Sequence, residues 1–427
     1  MVASEGVKQR LAQLLDDCFG SDGPPMLVDE ATAVIRARIA PTDETELVQL
    51  QYADGRILSS DVLAPLRLPP FANSAVDGYA INSSDLPVEA ARSFLISSRI
   101  EAGTAEKFVR PGTAARIFTG APIPDGAHTV FMQEDVRIDD EGLAVLPPGM
   151  KPGANVRLAG EDVRKGSVAL SAGSRLRPQD LALAAAFGLT QITVRRRIRV
   201  AVFSTGNELA ATGGPRGPAQ IFDSNRLMLM AMLRRLGCVV SDLGILRDDP
   251  DPLADALKGA AEQHDLVLTS GGVSTGEEDH VRAAVGSVGT IVFWRLAIKP
   301  GRPVAMGVIR GTPFIGLPGN PVASFVTFAH IVQPTILALS GASERRPMLM
   351  PIRAAFTYLK KMSRREYIRV AVRPSADGFL EAVKFPRDGT GFLTSLVETD
   401  GLVELGESVE KVELGQIVNF LPYESLG

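Results

Sequence analysis

The chain has 427 residues, more than one hydrophobic core usually supports, because domains commonly contain ~100–200 residues. We therefore predict three or four domains. A hydrophobic content of 45% and a charged content of 22% are those of ordinary globular proteins, which excludes a largely disordered or fibrous chain. The formal net charge of −4 argues against a nucleic-acid binder that works by broad neutralisation of phosphates.

The cysteines and the apolar segments bear on the compartment. Cys18 and Cys238 are the only cysteines, and neither lies in a CxxC motif or a Cys/His cluster, so neither a disulfide framework nor a structural zinc site is expected. The N-terminus mixes charges into its apolar positions, unlike a signal peptide. Residues 311–343 lack acidic and basic side chains, but prolines interrupt them, and we predict a buried helix in their second half. We expect a cytoplasmic protein.

The predicted secondary structure changes several times along the first half of the chain. The first 23 residues are expected to form a flexible lead-in, and helical periodicity follows at 29–39. From residue 62 to 156, short β-rich runs alternate with Pro-Gly, Asp-Gly and Glu-Gly turns, which predicts a small β domain. The basic run at 195–197 is expected to be a solvated strand entry, because it contains only three arginines.

Strands and helices alternate between residues 198 and 340, which predicts a doubly wound, mostly parallel α/β sheet. The tail, 346–427, has alternating runs parted by Asp-Gly turns, which predicts a compact antiparallel barrel or sandwich. In the α/β region we predict strands at 198–203, 239–246, 266–269, 291–294, 304–308 and 314–317. Helices are predicted at 226–236, 253–261, 280–285 and 322–339.

The loops that follow these strands are polar and rich in glycine. In an open parallel sheet, ligands bind beyond the carboxyl ends of the strands, so such loops share one edge. Each loop alone is explained by turn formation or helix capping, but five on one edge favour a ligand site. They read STGNE at 204–208, RDDP at 247–250, SGGVSTG at 270–276, KPGRP at 299–303 and LPGNP at 317–321.

Three of these loops suggest a chemistry for an anionic ligand. The turn that begins at Ser270 can aim backbone N–H groups at an anion. Asp248 and Asp279 lie on separate loops of the edge, as oxygen ligands for Mg²⁺ would, although Asp248 can also serve only to cap a helix. Lys299 and Arg302 bracket a Pro-Gly turn and can hold a tetrahedral oxyanion or a phosphate.

Two motifs outside this sheet carry polar side chains beside rigid turns. PPFANSAVDGYA, residues 69–80, contains one carboxylate, that of Asp77. FTGAPIP, residues 118–124, places the hydroxyl of Thr119 beside a proline turn. As bare patterns, both are ordinary loops.

Together these segments closely resemble the molybdopterin molybdenumtransferase family, whose relatives include the cofactor-making region of gephyrin. The similarity covers the chain from Pro24 to its end. It runs in order through NSAVDGYA, FTGAPIP, NVRLAGEDV, FSTGNEL, DSNR, RDDP, TSGGVSTGEEDH, FWRLAIKPGRP and LPGNPVAS, with weaker matches at RREYIRV and SLVETDGLVEL.

The resemblance implies a multidomain α/β plus β architecture and an elongated homodimer. Each active site of the dimer would join the α/β domain of one subunit to the first two domains of the other. The molybdopterin adenylyltransferase and apo-molybdoenzymes would be transient partners, without nucleic acid or membrane. The implied domains are a lead-in at 1–23, an elongated domain at 24–61 and 157–195, an inserted β domain at 62–156, an α/β molybdopterin-binding domain at 196–343 and a C-terminal β-barrel at 346–427.

The implied activity is insertion of molybdate into adenylyl-molybdopterin with release of AMP and with Mg²⁺ as cofactor. Carried over by motif position, Asp248 and Asp279 would be the metal ligands. The catalytic residues would be Asp77, Glu208, Asp248 and Asp279. The substrate-binding residues would be Thr119, Glu161, Asp162, Ser270, Gly271, Gly272, Lys299, Arg302, Pro318, Pro321 and Arg369.

Some residues depart from the family pattern, and two other functions compete with this one. Val76, Asn207, Arg295 and Arg302 stand where the family often has Met, an acid, Lys and Lys. An adenylyltransferase that makes the pterin adenylate shares the α/β sheet, but it lacks the 190-odd residues that precede it here. A non-catalytic scaffold is the second alternative. The sequence does not distinguish molybdate from tungstate.

Overall fold

The computed structural model describes residues 25–104, 108–247, 249–271, 280–343 and 347–426. The first helix carries Asp29 and Glu30 in its first turn and Arg36 and Arg38 in its last, which complements the helix dipole. It packs with its buried face against the α/β core. The elements of this first segment are α1 (Val28–Arg38), β1 (Thr45–Gln49) and β2 (Val62–Leu63).

A six-stranded sheet follows, in the spatial order β7-β4-β6-β5-β9-β8 of the strands given below. One face buries Ile100, Ile117 and Val130, and the other buries Phe94 and Phe131. This sheet confirms the prediction that residues 62–156 are rich in β-strands. The strands of this segment are β3 (Asn73–Ser74), β4 (Gly78–Ile81), β5 (Arg92–Ile100), β6 (Thr113–Ile117), β7 (Thr129–Met132), β8 (Arg137–Ile138) and β9 (Ala144–Leu146).

The chain then returns beside its first segment. The returning elements are β10 (Val156–Arg157), β11 (Val168–Leu170), α2 (Pro178–Ala186) and β12 (Gln191–Arg195). β10 pairs with β3, β11 with β2 and β12 with β1, all antiparallel. These two-stranded pairs form an elongated region that leads from the six-stranded sheet to the α/β domain. The domain boundaries at residues 62 and 157 stay a prediction.

The α/β domain is doubly wound, as predicted. Its strands and helices are β13 (Arg199–Thr205), β14 (Leu209–Ala210), β15 (Ile221–Phe222), α3 (Asn225–Arg235), β16 (Val239–Leu246), α4 (Pro250–Gln263), β17 (Leu266–Ser270), α5 (His280–Val288), β18 (Gly289–Arg295), β19 (Ile298–Lys299), β20 (Pro303–Ile309), β21 (Thr312–Leu317), α6 (Pro321–Thr327) and α7 (Gln333–Leu339), with a π-helical turn at Phe328–Val332.

Four parallel strands, β16-β13-β17-β21, form the centre of this sheet. β20 pairs antiparallel with β21, and β18 pairs antiparallel with β20, so β18 runs in the direction of the four central strands. Alternate residues of β13 enter opposite cores. Val200 and Val202 pack beneath α1, α3 and the 321–339 helical run, whereas Ala201 and Phe203 pack beneath α4 and α5. Helices on both faces explain why the strands are apolar throughout.

The helical run Pro321–Leu339 is long and apolar enough to cross a membrane by composition, but 67% of its most apolar window is buried inside the protein. Phe328, Ile331 and Val332 belong to the main core of the α/β domain. The prediction of a buried helix here is therefore confirmed.

The C-terminal segment forms a closed barrel of β24-β25-β22-β28-β26, in which β26 pairs back to β24. β19 of the α/β domain pairs with β24, so the barrel is attached directly to that domain. This confirms the predicted barrel. Its elements are β22 (Met350–Ala354), β23 (Tyr358–Leu359), β24 (Arg365–Pro374), β25 (Leu380–Lys384), α8 (Thr394–Val397), β26 (Gly401–Leu405), β27 (Lys411–Val412) and β28 (Ile417–Pro422).

Candidate functional site

The carboxyl ends of the parallel strands lie level with one another. Ser270 at the end of β17 is in register with Ser204 of β13 and with Leu317 of β21, and Thr205 is in register with Leu246 of β16. β20 runs antiparallel to β21, so its start lies at this same edge. The described parts of all five predicted loops therefore meet at one edge, which we call the carboxyl edge.

A buried polar network holds the centre of the carboxyl edge together. Asn225, the first residue of α3, donates from Nδ2 to Ser270 Oγ at 2.9 Å and to the Gly319 carbonyl at 2.7 Å. Ser270 is only 3% exposed and Asn225 only 8%. Ser324 Oγ donates to the Pro318 carbonyl at 2.6 Å. The strand-end loops are thus tied to the starts of α3 and α6.

Asn225 is a site residue that the sequence analysis did not assign. Its motif, DSNR, carried part of the family resemblance, but no role was given to its members. The signal in the sequence is an asparagine at the start of the apolar run that forms α3. Its Oδ1 atom is buried and has no hydrogen-bond partner among the described residues of the carboxyl edge.

The backbone conformation and the close neighbours of Gly271 require a glycine at this position. Its φ is +89°, and an added Cβ would lie 2.8 Å from the Thr205 carbonyl oxygen. The predicted anion nest included this residue, but its N–H donates to the Leu317 carbonyl at 3.1 Å and is not free to bind an anion. Gly271 instead allows the neighbouring loops to approach each other. Gly272 and Asp279 lie outside the described residues.

The KPGRP loop reaches from the carboxyl edge to the barrel. Lys299 Nζ donates to Tyr358 Oη at 3.0 Å and to Glu366 Oε2 at 3.3 Å. Burial opposes the charge on Lys299, but the bonds to Tyr358 and Glu366 outweigh it and raise the pKa of the lysine. Arg302 is exposed. The two cations flank one turn as predicted, but Lys299 is paired across the domain junction.

A cleft of about 100 Å³ opens beside Lys299, and Arg369 lines its barrel side. Arg369 donates to the Gly389 carbonyl at 2.7 Å, while its buried Nε has no hydrogen-bond partner in the part of the chain that the structure describes. Burial lowers the pKa of this guanidinium. The Val322 N–H, at the start of α6, donates to the Thr390 carbonyl at 3.2 Å. Pro321 and the cleft are therefore neighbours, and Lys299 and Arg369 line one space.

Glu208 follows β13 at the carboxyl edge and is exposed. An added Cβ on Gly206 would lie 2.5 Å from Glu208 Oε2, so the loop closes tightly around this carboxylate. Gly206 has a φ of +146°. Asp248, predicted to lie on the next loop, is outside the described residues. Within the described ranges, His, Cys, Asp and Glu side chains form no group of three that could hold a metal ion.

The second cluster of predicted residues lies on the six-stranded sheet and the elongated region. Asp77 Oδ1 accepts from the N–H and from the hydroxyl of Thr119, both at 2.7 Å. The backbone hydrogen bond from Thr119 is the main cause that lowers the pKa of Asp77, and the nearby charge of Arg116 contributes. The two motifs at 69–80 and 118–124 therefore form one turn assembly around an ionised carboxylate.

Glu161 and Asp162 lie beside the start of the 69–80 motif. Glu161 Oε2 accepts from the Leu158 N–H at 2.8 Å, and the Asp162 N–H donates to the Leu68 carbonyl at 3.0 Å. Both side chains are exposed. We call these two carboxylates, together with Asp77 and Thr119, the acidic turn cluster.

The carboxyl edge and the acidic turn cluster are not joined within one chain. Among the described residues, no hydrogen bond, ion pair or strand pairing that we find connects residues 64–163 to residues 199–343. In the described part of the chain, the two groups of predicted residues are therefore separate, and we call each of them a candidate half-site.

Comparison with known families assigns the chain to three consecutive regions of one protein type. Residues 26–188 match the MoeA N-terminal region (domain I and II). Residues 201–338 match a probable molybdopterin binding domain, and residues 351–423 match the MoeA C-terminal region (domain IV).

Individual relatives extend over nearly the whole chain. A molybdopterin molybdenumtransferase of Haemophilus influenzae is 36% identical over 94% of this chain and 99% of its own length. One from a Nostoc species is 35% identical over 90% of this chain and 91% of its own length. The crystal structure of a molybdopterin biosynthesis moeA protein from Pyrococcus horikoshii OT3 superposes with a TM-score of 0.79, at 28% identity, over 94% of this chain and all of that one.

Proposed function

Because the chain belongs to the molybdopterin molybdenumtransferase family, a group of transferases in molybdenum cofactor biosynthesis, we propose that it inserts molybdate into adenylyl-molybdopterin and releases AMP. One structural observation carries this proposal. The loops at the carboxyl edge gather the polar network of Asn225 and Ser270 beside the cations Lys299, Arg302 and Arg369. Such an edge suits a ligand with a phosphoanhydride and a second, tetrahedral oxyanion.

The chain's own residues divide the binding work. Ser270 and Asn225 would contact the adenylate, since Asn225 fixes the Ser270 hydroxyl and its buried Oδ1 has no hydrogen-bond partner among the described residues. Lys299, Arg302 and Arg369 would hold molybdate by charge-assisted hydrogen bonds. Glu208, Pro318 and Pro321 would shape the loops around both ligands. These residues act by positioning and charge stabilisation, so no activated nucleophile is needed.

We propose Asp248 and Asp279 as ligands of a Mg²⁺ ion, because both occur in carboxyl-edge loops of the sequence. The ion would neutralise charge on the phosphoanhydride. Removing divalent metal with a chelator should then abolish AMP release, and adding Mg²⁺ back should restore it. Unchanged release after chelation would refute the metal requirement.

We further propose that two copies of the chain complete each site. The acidic turn cluster of one copy would meet the carboxyl edge of the other, because no hydrogen bond or strand pairing between described residues brings the two together within one chain. A two-fold dimer would contain two such composite sites. We place this dimer in the cytoplasm, where the adenylyltransferase would supply its substrate and apo-molybdoenzymes would receive its product.

A reconstituted reaction tests the activity. Purified protein given adenylyl-molybdopterin, molybdate and Mg²⁺ should release AMP and produce a cofactor that activates an apo-molybdoenzyme. A parallel reaction with free molybdopterin and ATP should show no ATP consumption. ATP consumption without preformed adenylate would overturn the proposal and favour an adenylyltransferase. A reaction with tungstate determines which oxyanion is preferred.

A further inference from the structure

A second cavity, of about 290 Å³, lies between the elongated region and the α/β domain. Ile198 and Cys238 line it, and they directly precede β13 and β16, so the cavity is at the amino ends of these strands. β13 has 7 residues, which at ~3.3 Å per residue places the cavity roughly 20 Å from the carboxyl edge. The cavity is therefore distinct from the candidate site.

Arginine side chains dominate the lining of this cavity, which we call the arginine cavity. They come from both sides of the junction: Arg175 and Arg195 from the elongated region, and Arg197, Arg234 and Arg235 from the α/β domain. Asp54 is the single carboxylate among the described lining residues. The concentration of positive charge contrasts with the net charge of −4 of the whole chain.

Two further lining arginines are already neutralised. Arg56 pairs with Glu46, and Arg196 donates to both oxygens of Asp265 at 2.9 Å and pairs with Glu44. Arg196 is thus a partly buried ion-pairing residue, so the expectation that the basic run is a solvated strand entry is wrong for it. These two arginines and their carboxylates Glu46, Asp265 and Glu44 add no positive charge to the cavity. Arg199, 3.8 Å from Asp265, offsets part of the excess negative charge.

Arg175 and Arg195 have weaker compensation among the described residues. Arg175 donates to the Arg235 carbonyl at 2.8 Å, and Arg195 donates to the Thr42 carbonyl at 2.9 Å. Neutral carbonyls leave the positive charges in place. The C-terminal end of α3 contributes only about half a negative charge. Arg234 is attracted to Asp242, but that carboxylate also pairs with Arg226. A positive excess therefore remains.

We propose that the arginine cavity binds a small anion of the phosphate or diphosphate class. Guanidinium groups match phosphate oxygens with paired N–H donors, and each group has five such donors. Arg175 and Arg195 each show one hydrogen bond to a described protein oxygen, so most of their donors remain for a ligand. A volume near 300 Å³ is at the lower end of small-molecule pockets, which suits a small phosphorylated ligand.

Binding at this place has a structural consequence. The ligand would touch Arg175 on the elongated region and Arg197 and Arg234 on the α/β domain, and so would clamp the junction between them. That junction sets the direction in which the elongated region carries the acidic turn cluster. An anion in the arginine cavity would therefore stabilise the relative arrangement of the two half-sites.

Calorimetric titration of the full chain with inorganic pyrophosphate, and in a second arm with orthophosphate, tests the proposal. One site should bind pyrophosphate more tightly than orthophosphate, and binding should weaken as salt increases. Arg197→Ala and Arg234→Ala should each lower the pyrophosphate affinity by roughly tenfold to a hundredfold. Arg137→Ala, on the six-stranded sheet, is the matched control and should leave the affinity unchanged.

The same titration on Lys299→Ala separates the two sites. Binding that survives Lys299→Ala but is lost in the Arg197 and Arg234 variants supports the arginine cavity. The opposite pattern would place the anion at the carboxyl edge and overturn the proposal, as would the absence of any binding. Arg197 and Arg234 are exposed, so the variants should unfold at the temperature of the unmodified protein without ligand. If either does not, its lysine variant replaces it. The result is independent of the molybdenum-transfer activity.

Discussion

The two half-sites differ in how their polar groups are held. At the carboxyl edge, Asn225 and Ser270 are buried and bonded to each other, so the groups that would bind substrate also hold the α/β domain together. In the acidic turn cluster, the half-buried Asp77 side chain accepts its described hydrogen bonds from the exposed Thr119. Substitutions in the buried network of the carboxyl edge should therefore lower stability and activity together, whereas substitutions of the acidic side chains should lower activity with only a small loss of stability.

The largest effect on stability should come from the backbone beneath the exposed turn rather than from its side chains. Gly78 follows Asp77 at the start of β4, and an added Cβ would lie 1.8 Å from the Phe131 carbonyl oxygen. Gly78→Ala should lower the free energy of unfolding by about 3 kcal/mol or more, because two paired strands must separate. Unfolding of the variant by denaturant measures this change in the free energy of unfolding.

Gly259→Ala, inside α4, is the control for the glycine substitution. An added Cβ there has no neighbour within 4 Å, so the change should stabilise the protein by about 0.5–1 kcal/mol. Equal effects of the two substitutions would contradict the close approach of β4 to Phe131.

Asn225→Ala should give the next largest loss of stability. It leaves the Gly319 carbonyl and the Ser270 hydroxyl without a donor in a buried place, which costs about 1–3 kcal/mol. AMP release should fall as well. Asn82→Ala removes an exposed asparagine that accepts from the Ser84 N–H and should cost about 1 kcal/mol or less, with activity kept. Thermal unfolding and AMP release of both variants test this prediction. An Asn225→Ala variant that keeps both its stability and its AMP release would contradict the buried network.

Lys299→Ala and Arg302→Ala should differ in their effect on stability, because Lys299 is paired with Glu366 whereas Arg302 is exposed. Lys299 contacts Glu366, which is only 1% exposed, so its removal should cost about 1 kcal/mol after allowance for its own partial exposure. Arg302→Ala should change stability by no more than about 0.5 kcal/mol.

Both substitutions should weaken the use of molybdate by roughly tenfold to a hundredfold, since each removes one or two charge-assisted hydrogen bonds. Raising molybdate should rescue both variants but not Asp279→Ala. Loss of adenylate affinity in calorimetry, without rescue by molybdate, would show that the cations bind the other substrate.

Asp77→Asn should have only a small effect on stability. The dependence of this effect on pH would show that it comes from the Asp77 carboxylate. Hydrogen bonds from Thr119 lower the pKa of Asp77, so its contribution to stability is present above the ordinary Asp pKa of ~3.9 and is lost as pH falls through the lower folded pKa. Asp77→Asn should unfold slightly earlier than the unmodified protein at neutral pH, and the difference should shrink below pH ~4. AMP release should nevertheless fall strongly.

Asp61→Asn is the matched control for Asp77→Asn. Asp61 is exposed and also accepts from a backbone N–H, that of Ala172, at 2.7 Å, but it lies on the elongated region outside the half-sites. This variant should retain activity. A loss of activity equal to that of Asp77→Asn would mean that these carboxylates act only through general charge.

The sequence predicted the α/β domain well because its signals are local and repeated. Strands such as Val239–Leu246 matched the predicted bounds, since apolar runs on a sheet covered on both faces are continuous. The meeting of Ser270 with the loop after Leu317 followed from the rule for parallel strands. The barrel was predicted less sharply, because closure between β24 and β26 depends on distant pairing that turn signals do not specify.

Contacts between segments that are distant in the chain could not be predicted from the sequence. Nothing in the local pattern showed that Lys299 would pair with Glu366, that the Gly271 N–H would be used by Leu317, or that the basic run at 195–197 would line a cavity. Each depends on two segments that fold against each other. The resemblance to the family supplied residue roles, but the buried role of Asn225 required coordinates.

Activity of mixed dimers tests most directly the claim that two copies complete each site. Asp77→Ala and Asp279→Ala should each be inactive alone, because each variant damages a different half of every composite site. After equal mixing and confirmed subunit exchange, about half of the dimers are mixed and each contains one intact site, so about a quarter of the unmodified activity should return. Exchange without any recovery of AMP release would contradict a site shared between two chains.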